Sequence, residues 1–254
     1  MTTSRLQALD RGTPLWGGWV TGPTMIGPEE FARAGYDYVG LDAQHSYLDD
    51  ADIAGMLRRL EQVPIATAVR LPSADAAPIG RVLDAGADAV IIAMVESAEQ
   101  AAAAVAATRY PPSGVRSFGP LRAGMGYDTA ALQARANVFA MIETAAALAD
   151  LSRICAVPGL SGIYVGPADL ALSLGVEVTQ ATTDPKVRDA IAQIHRTASK
   201  ANLITAIHAG SGATGNAMAQ LGFQMITLAA ESAALRRGAA EFLREATGQE
   251  TDSS

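Results

Sequence analysis

The stretch Ala85-Gly86-Ala87-Asp88-Ala89-Val90-Ile91-Ile92-Ala93-Met94 decides the fold. It places a glycine where a helix should stop, directly before an apolar run of the strand type. Similar spacers recur at other glycines along the chain, namely Ala34–Asp37, Pro158–Ser161 and Leu221–Gln224. A helix that ends at glycine and is followed by a strand is typical of strand-helix units on a parallel sheet.

Outward from that stretch, short apolar segments alternate with alanine-rich amphipathic segments. The predicted strands are Leu15–Val20, Tyr38–Leu41, Ile65–Arg70, Ala89–Met94, Val138–Ile142, Gly162–Val165, Ile204–Ile207 and Met225–Leu228. The helical segments between them include Asp49–Gln62, Ala74–Ala85, Ala98–Thr108, Asp184–Ala201, Ala213–Leu221 and Ser232–Thr247. Eight such units predict an α/β fold of the (β/α)₈ TIM-barrel type, with one domain over residues 1–247 and a disordered tail at 248–254.

The rival architecture is a doubly wound open sheet. Its first strand should be followed by a glycine-rich fingerprint, with an acidic residue about 20 positions further on. The first strand here is followed by Thr21-Gly22-Pro23-Thr24 instead, which favours the barrel. The loop Tyr110–Asp128, rich in Gly, Pro and Arg, is long enough to be a functional lid.

Composition excludes several classes of function. The chain has 254 residues, 49% of them hydrophobic, and a formal net charge of −7, so binding to nucleic acid or to an anionic membrane is not expected. The single cysteine, Cys155, excludes an internal disulfide or a cysteine zinc site. We expect a soluble cytoplasmic protein, because the amino-terminal segment lacks a signal-peptide core and no apolar run could span a bilayer.

Polar side chains follow several of the predicted strands. The strand ends carry Asp42 and His45, Arg70, Glu143, Asp169 and His208. Since the carboxyl ends of barrel strands meet at one mouth, this layout is typical of an enzyme. Each group could instead have a purely structural role: Asp42 could cap a turn, His45 could be an exposed loop histidine, and Arg70 could form a structural salt bridge.

Glu143 and Asp169 are the most informative pair. Two carboxylates at neighbouring strand ends can share a hard divalent cation that keeps positions open for water and substrate. Alternatively, both could be acids near helix amino termini, and Glu96, before the helical segment Ala98–Thr108, is expected to be such a cap.

Three further features give weaker evidence for a function. His195 and Cys155 lie in helical patterns; His195 is expected to be a surface or packing residue, and Cys155 a packed thiol. The segment from His208 to Gly212 follows a strand where some barrels bind phosphate. No serine-hydrolase elbow, P-loop or zincin helix is present, and no lysine stands at these strand ends to form a Schiff base.

A set of motifs, taken together and in order, resembles one family over nearly the whole chain. The motifs are Ala34–Tyr38 leading into Asp42-x-x-His45, Val69–Pro72, Val82–Ala87, Arg109–Arg116, Ile142–Thr144 and Gly166–Leu170. They are similar to the HpcH/HpaI aldolase/citrate lyase family, and in particular to its class II, metal-dependent pyruvate aldolases.

The resemblance implies a mechanism and a set of residues. Glu143 and Asp169 would hold Mg²⁺, Mn²⁺ or Co²⁺, without an organic cofactor. Pyruvate would bind this metal, Arg70 and the backbone around Gly166 and Ala168.

The resemblance also implies roles in catalysis and assembly. His45 would act with a metal-bound water as base or acid, and Asp42 or Asp84 would orient it, Asp84 across a subunit contact. The enzyme would reversibly cleave a 4-hydroxy-2-oxo acid into pyruvate and an aldehyde, in aromatic or sugar-acid catabolism. It would form a homohexamer whose subunits exchange a carboxyl-terminal helix.

Two other functions stay open at the level of sequence. The segment Met141–Thr144 is similar to the citrate-lyase branch, which makes a carbon–carbon lyase of the citramalyl- or malyl-CoA type an alternative. A non-catalytic barrel that binds phosphorylated ligands at residues 208–212 is the other.

Overall fold

The computed structural model describes residues 6, 12–24 and 26–248. Its strands are β1 (Leu15–Val20), β2 (Tyr38–Asp42), β3 (Ala66–Leu71), β4 (Ala89–Ile92), β5 (Asn137–Ile142), β6 (Gly162–Val165), β7 (Ile204–His208) and β8 (Met225–Ala230). Every predicted strand is therefore present, with ends that differ from the prediction by two residues at most.

Helices separate the strands. They are α1 (Gly27–Arg33), α2 (Asp50–Arg59), α3 (Ala76–Asp84), α4 (Ala98–Ala107), α5 (Thr129–Arg135), α6 (Ala145–Ala149), α7 (Leu151–Cys155), α8 (Pro167–Ser173), α9 (Pro185–Lys200), α10 (Gly212–Leu221) and α11 (Glu231–Thr247). Short 3₁₀ turns lie at Leu60–Gln62, Ala123–Met125 and Val178–Gln180. Cys155, at the end of α7, is buried as predicted.

The strands close into a barrel in chain order. Each strand pairs in parallel with the next, and β8 pairs with β1. The prediction of a (β/α)₈ barrel is confirmed. The register places Asp42 of β2 beside Arg70 of β3, so that two residues distant in sequence become neighbours at the mouth.

The barrel interior is packed with aromatic side chains, for which two glycines leave space. A Cβ atom at Gly17 would lie 2.0 Å from the Tyr38 ring, and one at Gly40 would lie 2.2 Å from the Trp19 ring. The hydroxyl of Thr227 hydrogen-bonds those of Tyr38 and Tyr164, each at 2.7 Å. These contacts fix Trp19 and Tyr164 beneath the mouth.

The fourth strand ends earlier than predicted, at Ile92 instead of Met94. Met94 has a positive φ of 54°, which is uncommon for a residue with a side chain, and its N–H donates to Glu143 Oε1 at 2.8 Å. The prediction that Glu96 caps the next helix is wrong, because the Ser97 hydroxyl accepts from the Gln100 N–H at the start of α4.

The loop predicted as a lid lies at the other end of the barrel. It follows α4 and leads through α5 into the start of β5, and both connections are at the amino-terminal end of the strands. The Leu121 N–H donates to the Asp84 carbonyl at 2.9 Å, which holds the loop against the end of α3. Within one chain this loop cannot cover the mouth.

The carboxyl-terminal helix α11 has no buried residue, although Leu235 and Phe242 are large and apolar. It ends at Thr247 and is capped by Gly248, whose φ is 66°, and the rest of the predicted disordered tail lies outside the described residues. Over the described part of the chain, no helix is long and apolar enough to cross a membrane.

Candidate active site

A chamber of about 340 Å³ opens at the carboxyl ends of the strands. Its wall is formed by Trp19, His45, Arg70, Met141, Tyr164, Gly166, Pro167, Ala168, Asp169, Ala181, Thr182, His208, Ala209 and Gly210. The sequence predicted five of these as site residues: His45, Arg70, Gly166, Ala168 and Asp169. The sequence does not indicate Trp19 and Tyr164 as site residues, because an aromatic residue in a strand predicts only a core position.

Asp42 and Arg70 form a buried ion pair under the chamber. Arg70 donates from Nε to Asp42 Oδ1 at 3.0 Å and from Nη2 to Oδ2, a two-point contact that fixes the guanidinium plane. Burial by itself would raise the pKa of Asp42, but the hydrogen bonds and charge of Arg70 and the N–H groups of His45 and Gln44 hold it below its usual value. The Arg70 charge is therefore fixed at the mouth with a permanent partner.

Trp19 holds the same pair from the side. Its indole Nε1 donates to Asp42 Oδ2 at 3.2 Å, and the Arg70 guanidinium carbon lies 5.5 Å from the centre of its ring. A guanidinium over an aromatic face is attracted to it. Trp19 thus orients the cation and forms part of the apolar wall.

Glu143 is 1% exposed and packs against Gly166, a residue of the chamber wall. One carboxylate oxygen accepts from Met94, while the other, Oε2, has no hydrogen-bond partner among the described residues. Burial, and secondarily the charge of Asp169, raises the pKa of Glu143, partly offset by the Met94 hydrogen bond. A buried carboxylate oxygen without a donor is costly and suits a site that receives a cation.

Gly166 makes room for this carboxylate. A Cβ atom there would lie 2.6 Å from Glu143 Oε2 and 2.6 Å from the Met141 methyl group.

Replacing Gly166 by alanine should displace the Glu143 carboxylate and weaken divalent-metal affinity by about 10- to 100-fold, as changes beside metal ligands do. Titrating the melting temperature against Mn²⁺ measures this. Gly55→Ala is the matched control, since a Cβ atom at that position in α2 meets nothing within 4 Å. Equal metal affinity in the two variants would contradict the steric role of Gly166.

Asp169 is half-buried in the first turn of α8, behind Pro167. Its charge acts on the pKa of Glu143, so the two carboxylates are electrostatic neighbours. No group of three His, Cys, Asp or Glu side chains in the described ranges could hold a metal by itself. Arg70 already neutralises the charge of Asp42. The remaining two carboxylates, Glu143 and Asp169, carry a charge that a divalent cation would match.

His45 lies exposed at the rim, on the loop after β2. The Asp42 side chain accepts from the His45 backbone N–H at 3.1 Å and the Gln44 N–H at 2.9 Å. Within one chain Asp42 therefore positions the backbone of His45, and its carboxylate oxygens are occupied by Arg70 and Trp19.

Asp84 is not near this chamber within one chain. It is the last residue of α3, at the amino-terminal end of the barrel, and its carboxylate accepts from Arg116 Nη2 at 2.7 Å. The Arg116 side chain is 1% exposed and also lies over the Tyr110 ring. An Asp84 carboxylate could reach His45 only from another subunit.

The loop after β7 is poorly suited to phosphate. The N–H groups of Ala209 and Gly210 both donate to the Thr227 carbonyl, at 2.8 and 3.3 Å. The Ser211 hydroxyl accepts from the Thr214 N–H at the start of α10. These groups serve the loop itself, which disfavours the phosphate-binding alternative.

The fold and the chamber together define a class: a (β/α)₈ barrel with paired carboxylates and a fixed guanidinium at the mouth. The sequence contains two lysines, Lys186 and Lys200, and both lie on the outer helix α9. An imine between a chamber lysine and a substrate carbonyl is therefore excluded.

Comparison with known proteins identifies the family. Residues 16–237 match the HpcH/HpaI aldolase/citrate lyase family. The chain is 36% identical over 240 residues to a hydroxypyruvate/pyruvate aldolase of Rhizorhabdus wittichii, covering 93% of this chain and 96% of that protein. It is 40% identical over 174 residues to a 4-hydroxy-2-oxovalerate aldolase of Novosphingobium aromaticivorans, covering 66% of each.

The crystal structure of an HpcH/HpaI aldolase/citrate lyase family protein from Burkholderia cenocepacia superposes with a TM-score of 0.88 at 30% identity, covering 96% of this chain and 99% of that one. The chain belongs to the HpcH/HpaI aldolase/citrate lyase family and is a carbon–carbon lyase. The family resemblance drawn from the sequence motifs is confirmed.

Proposed function

We propose that the protein is a divalent-metal-dependent aldolase that reversibly cleaves a 4-hydroxy-2-oxo acid into an aldehyde and pyruvate or hydroxypyruvate. The pyruvate aldolase activity follows from the family and from the named relatives. The observation that carries the metal dependence is the buried Glu143 Oε2, to which no described residue donates a hydrogen bond. The charge of Asp169 acts on the same carboxylate, and Asp169 lines the chamber together with Arg70.

Glu143 and Asp169 would hold Mg²⁺, Mn²⁺ or Co²⁺, with water and substrate completing the coordination, as oxygen ligands suit these ions. When bound, the cation supplies Lewis-acid stabilisation of the negative charge that develops when the C3–C4 bond breaks.

Arg70 has a clear task in this reaction. Its guanidinium is held in plane by Asp42 and Trp19, so it would stabilise the 2-oxo oxygen that becomes negative without first having to reorient. The backbone at Gly166 and Ala168, at the start of α8, would bind the substrate carboxylate.

His45 would handle the proton of the 4-hydroxyl group. In cleavage it takes that proton while the C3–C4 electron pair moves into the enolate of pyruvate; in addition it returns the proton to the new alkoxide. Its position at the rim leaves it accessible to the aldehyde end of the substrate. Asp84 would orient His45 from a neighbouring subunit.

The carboxyl-terminal helix supports an assembly. Leu235, Phe242 and Leu243 of α11 are 74%, 73% and 64% exposed within one chain. Exchange of this helix between subunits of a homohexamer would bury them. The molar mass in solution, with and without residues 231–254, tests this arrangement.

Proton NMR of pyruvate in D₂O tests the function without a choice of aldehyde. The protein with Mn²⁺, Mg²⁺ or Co²⁺ should exchange the methyl protons, and a chelator should stop the exchange. Absence of exchange with every metal would overturn the proposal.

A further inference from the structure

His208 occupies the side of the chamber that faces Arg70. It is the last residue of β7, and in a closed barrel of eight strands β7 lies directly across from β3, which carries Arg70. Between them lies Trp19, whose ring meets the His208 ring at 87° with the centres 5.4 Å apart. The imidazole is thus held by an aromatic contact rather than by a polar one.

The two ring nitrogens of His208 have no hydrogen-bond partner among the described residues, although the side chain is part-buried in the chamber wall. Burial, and then the positive charge of Arg70, lower the pKa of His208 to about 4, so the ring is neutral at physiological pH. A neutral imidazole offers one N–H donor and one acceptor nitrogen. Such a group is poorly suited to an anion and well suited to a hydroxyl group.

The remaining wall on this side gives a hydroxyl few other partners. Trp19, Ala181 and Ala209 present mainly apolar surface, and the Tyr164 hydroxyl already hydrogen-bonds Thr227. The Thr182 hydroxyl is a further polar group of this wall, but unlike the imidazole it is a single small hydroxyl. The 2-oxo acid end of the substrate is served by Arg70 and the carboxylates. A hydroxyl on the rest of the substrate would therefore meet His208.

We infer that His208 is a specificity residue, which hydrogen-bonds a hydroxyl group carried by the substrate and so favours hydroxylated reactants over their plain counterparts. The inference rests on the proposed aldolase function. The hydroxyl has two possible sources, the 3-hydroxyl of hydroxypyruvate or the hydroxyl of a 2-hydroxyaldehyde acceptor.

Four reactant pairs distinguish these sources: pyruvate or hydroxypyruvate, each with acetaldehyde or glycolaldehyde. We expect His208→Phe to lower kcat/KM for the hydroxylated reactant, relative to the plain one, by about tenfold, the value of one hydrogen bond of this kind. If the kcat/KM ratio of hydroxypyruvate to pyruvate falls, the hydroxyl belongs to hydroxypyruvate. If the kcat/KM ratio of glycolaldehyde to acetaldehyde falls, the hydroxyl belongs to the aldehyde. His208→Asn, which keeps a donor and an acceptor, should restore part of the ratio.

His195→Phe is the matched control, because His195 lies on α9 against Phe223 and away from the chamber. It should leave all four rates unchanged. The inference is overturned if His208→Phe and His208→Asn change kcat/KM by the same factor for all four reactant pairs, or for none of them, while the metal-dependent exchange of pyruvate is intact. Absence of that exchange in the unmodified protein would overturn the proposed function and this inference with it.

Discussion

Replacing Glu143 by glutamine should reduce the metal-dependent exchange of pyruvate methyl protons by about a thousandfold. A Lewis acid contributes several kcal/mol to this kind of step, and each 1.4 kcal/mol is a factor of ten. Glutamine keeps the shape of the side chain, and its carbonyl oxygen can still accept from the Met94 N–H. It lacks the negative charge, so Asp169 alone would hold the cation.

The same variant separates loss of function from loss of structure. Because the folded protein raises the pKa of Glu143, mainly through burial, ionising this group destabilises the metal-free fold. Its contribution to stability is present at low pH and is lost as the pH rises through the raised pKa. Metal-free Glu143→Gln should therefore melt at a higher temperature than the unmodified protein at pH 8, and the difference should vanish in acid.

Glu96→Gln is the matched control, since Glu96 is part-buried on the loop after Met94 but does not line the chamber. It should keep both the exchange and the rise in melting temperature caused by Mn²⁺. A Glu143→Gln variant that remains fully active, or that still gains stability from Mn²⁺ at the same concentration, would contradict the assignment of Glu143 as a metal ligand.

The barrel could be predicted because its strands are short apolar runs separated by helices with glycine at their ends. The mouth residues Asp42, Arg70 and Glu143 followed from the same pattern, since residues at strand ends must converge. The Asp42–Arg70 pair needed one further step, the in-register pairing of β2 with β3. That step was available in the sequence, because both residues stand at the ends of consecutive strands.

Other features of the site could not be predicted from the pattern of strands and helices in the sequence. The positive φ of Met94, which aims its N–H at Glu143, leaves no signal in a residue type that seldom adopts it. The position of Trp19 depends on the close approach of its ring to Gly40 on the neighbouring strand, where a Cβ atom would clash with the ring. The place of Asp84 at the amino-terminal end of the barrel, by contrast, does follow from the sequence pattern, because a helix that returns from β3 must end there.

Replacing Arg70 by methionine should lower both stability and activity. The Arg70 and Asp42 side chains are 10% and 1% exposed, and removing one partner of a buried pair costs about 3–5 kcal/mol because the other charge stays buried. For a protein of this size that corresponds to a fall of about 10 °C in melting temperature. The exchange of pyruvate protons should fall as well, because the guanidinium no longer stabilises the developing negative charge.

A double-mutant cycle assigns these losses to the pair. Asp42→Asn combined with Arg70→Met should cost less than the sum of the two single changes, since neither charge is then left buried alone. Arg70→Lys should recover part of the stability but little activity, because an ammonium group cannot make the two-point contact with Asp42. Additive stability losses would contradict the coupling of the two residues.

The pH dependence of the same variants gives the sign of the interaction. The fold depresses the pKa of Asp42, so the stabilisation from this carboxylate is present above the usual pKa of an aspartate and is lost as the pH falls through the depressed value. The stability difference between the unmodified protein and Asp42→Asn should therefore be constant near neutral pH and shrink in acid. Asp50→Asn is the control, because the Asp50–Arg81 pair has both side chains 60% exposed and should contribute little at any pH. A difference that persisted unchanged in acid would show that the Asp42 charge does not stabilise the mouth, and that Arg70 is held by packing against Trp19 instead.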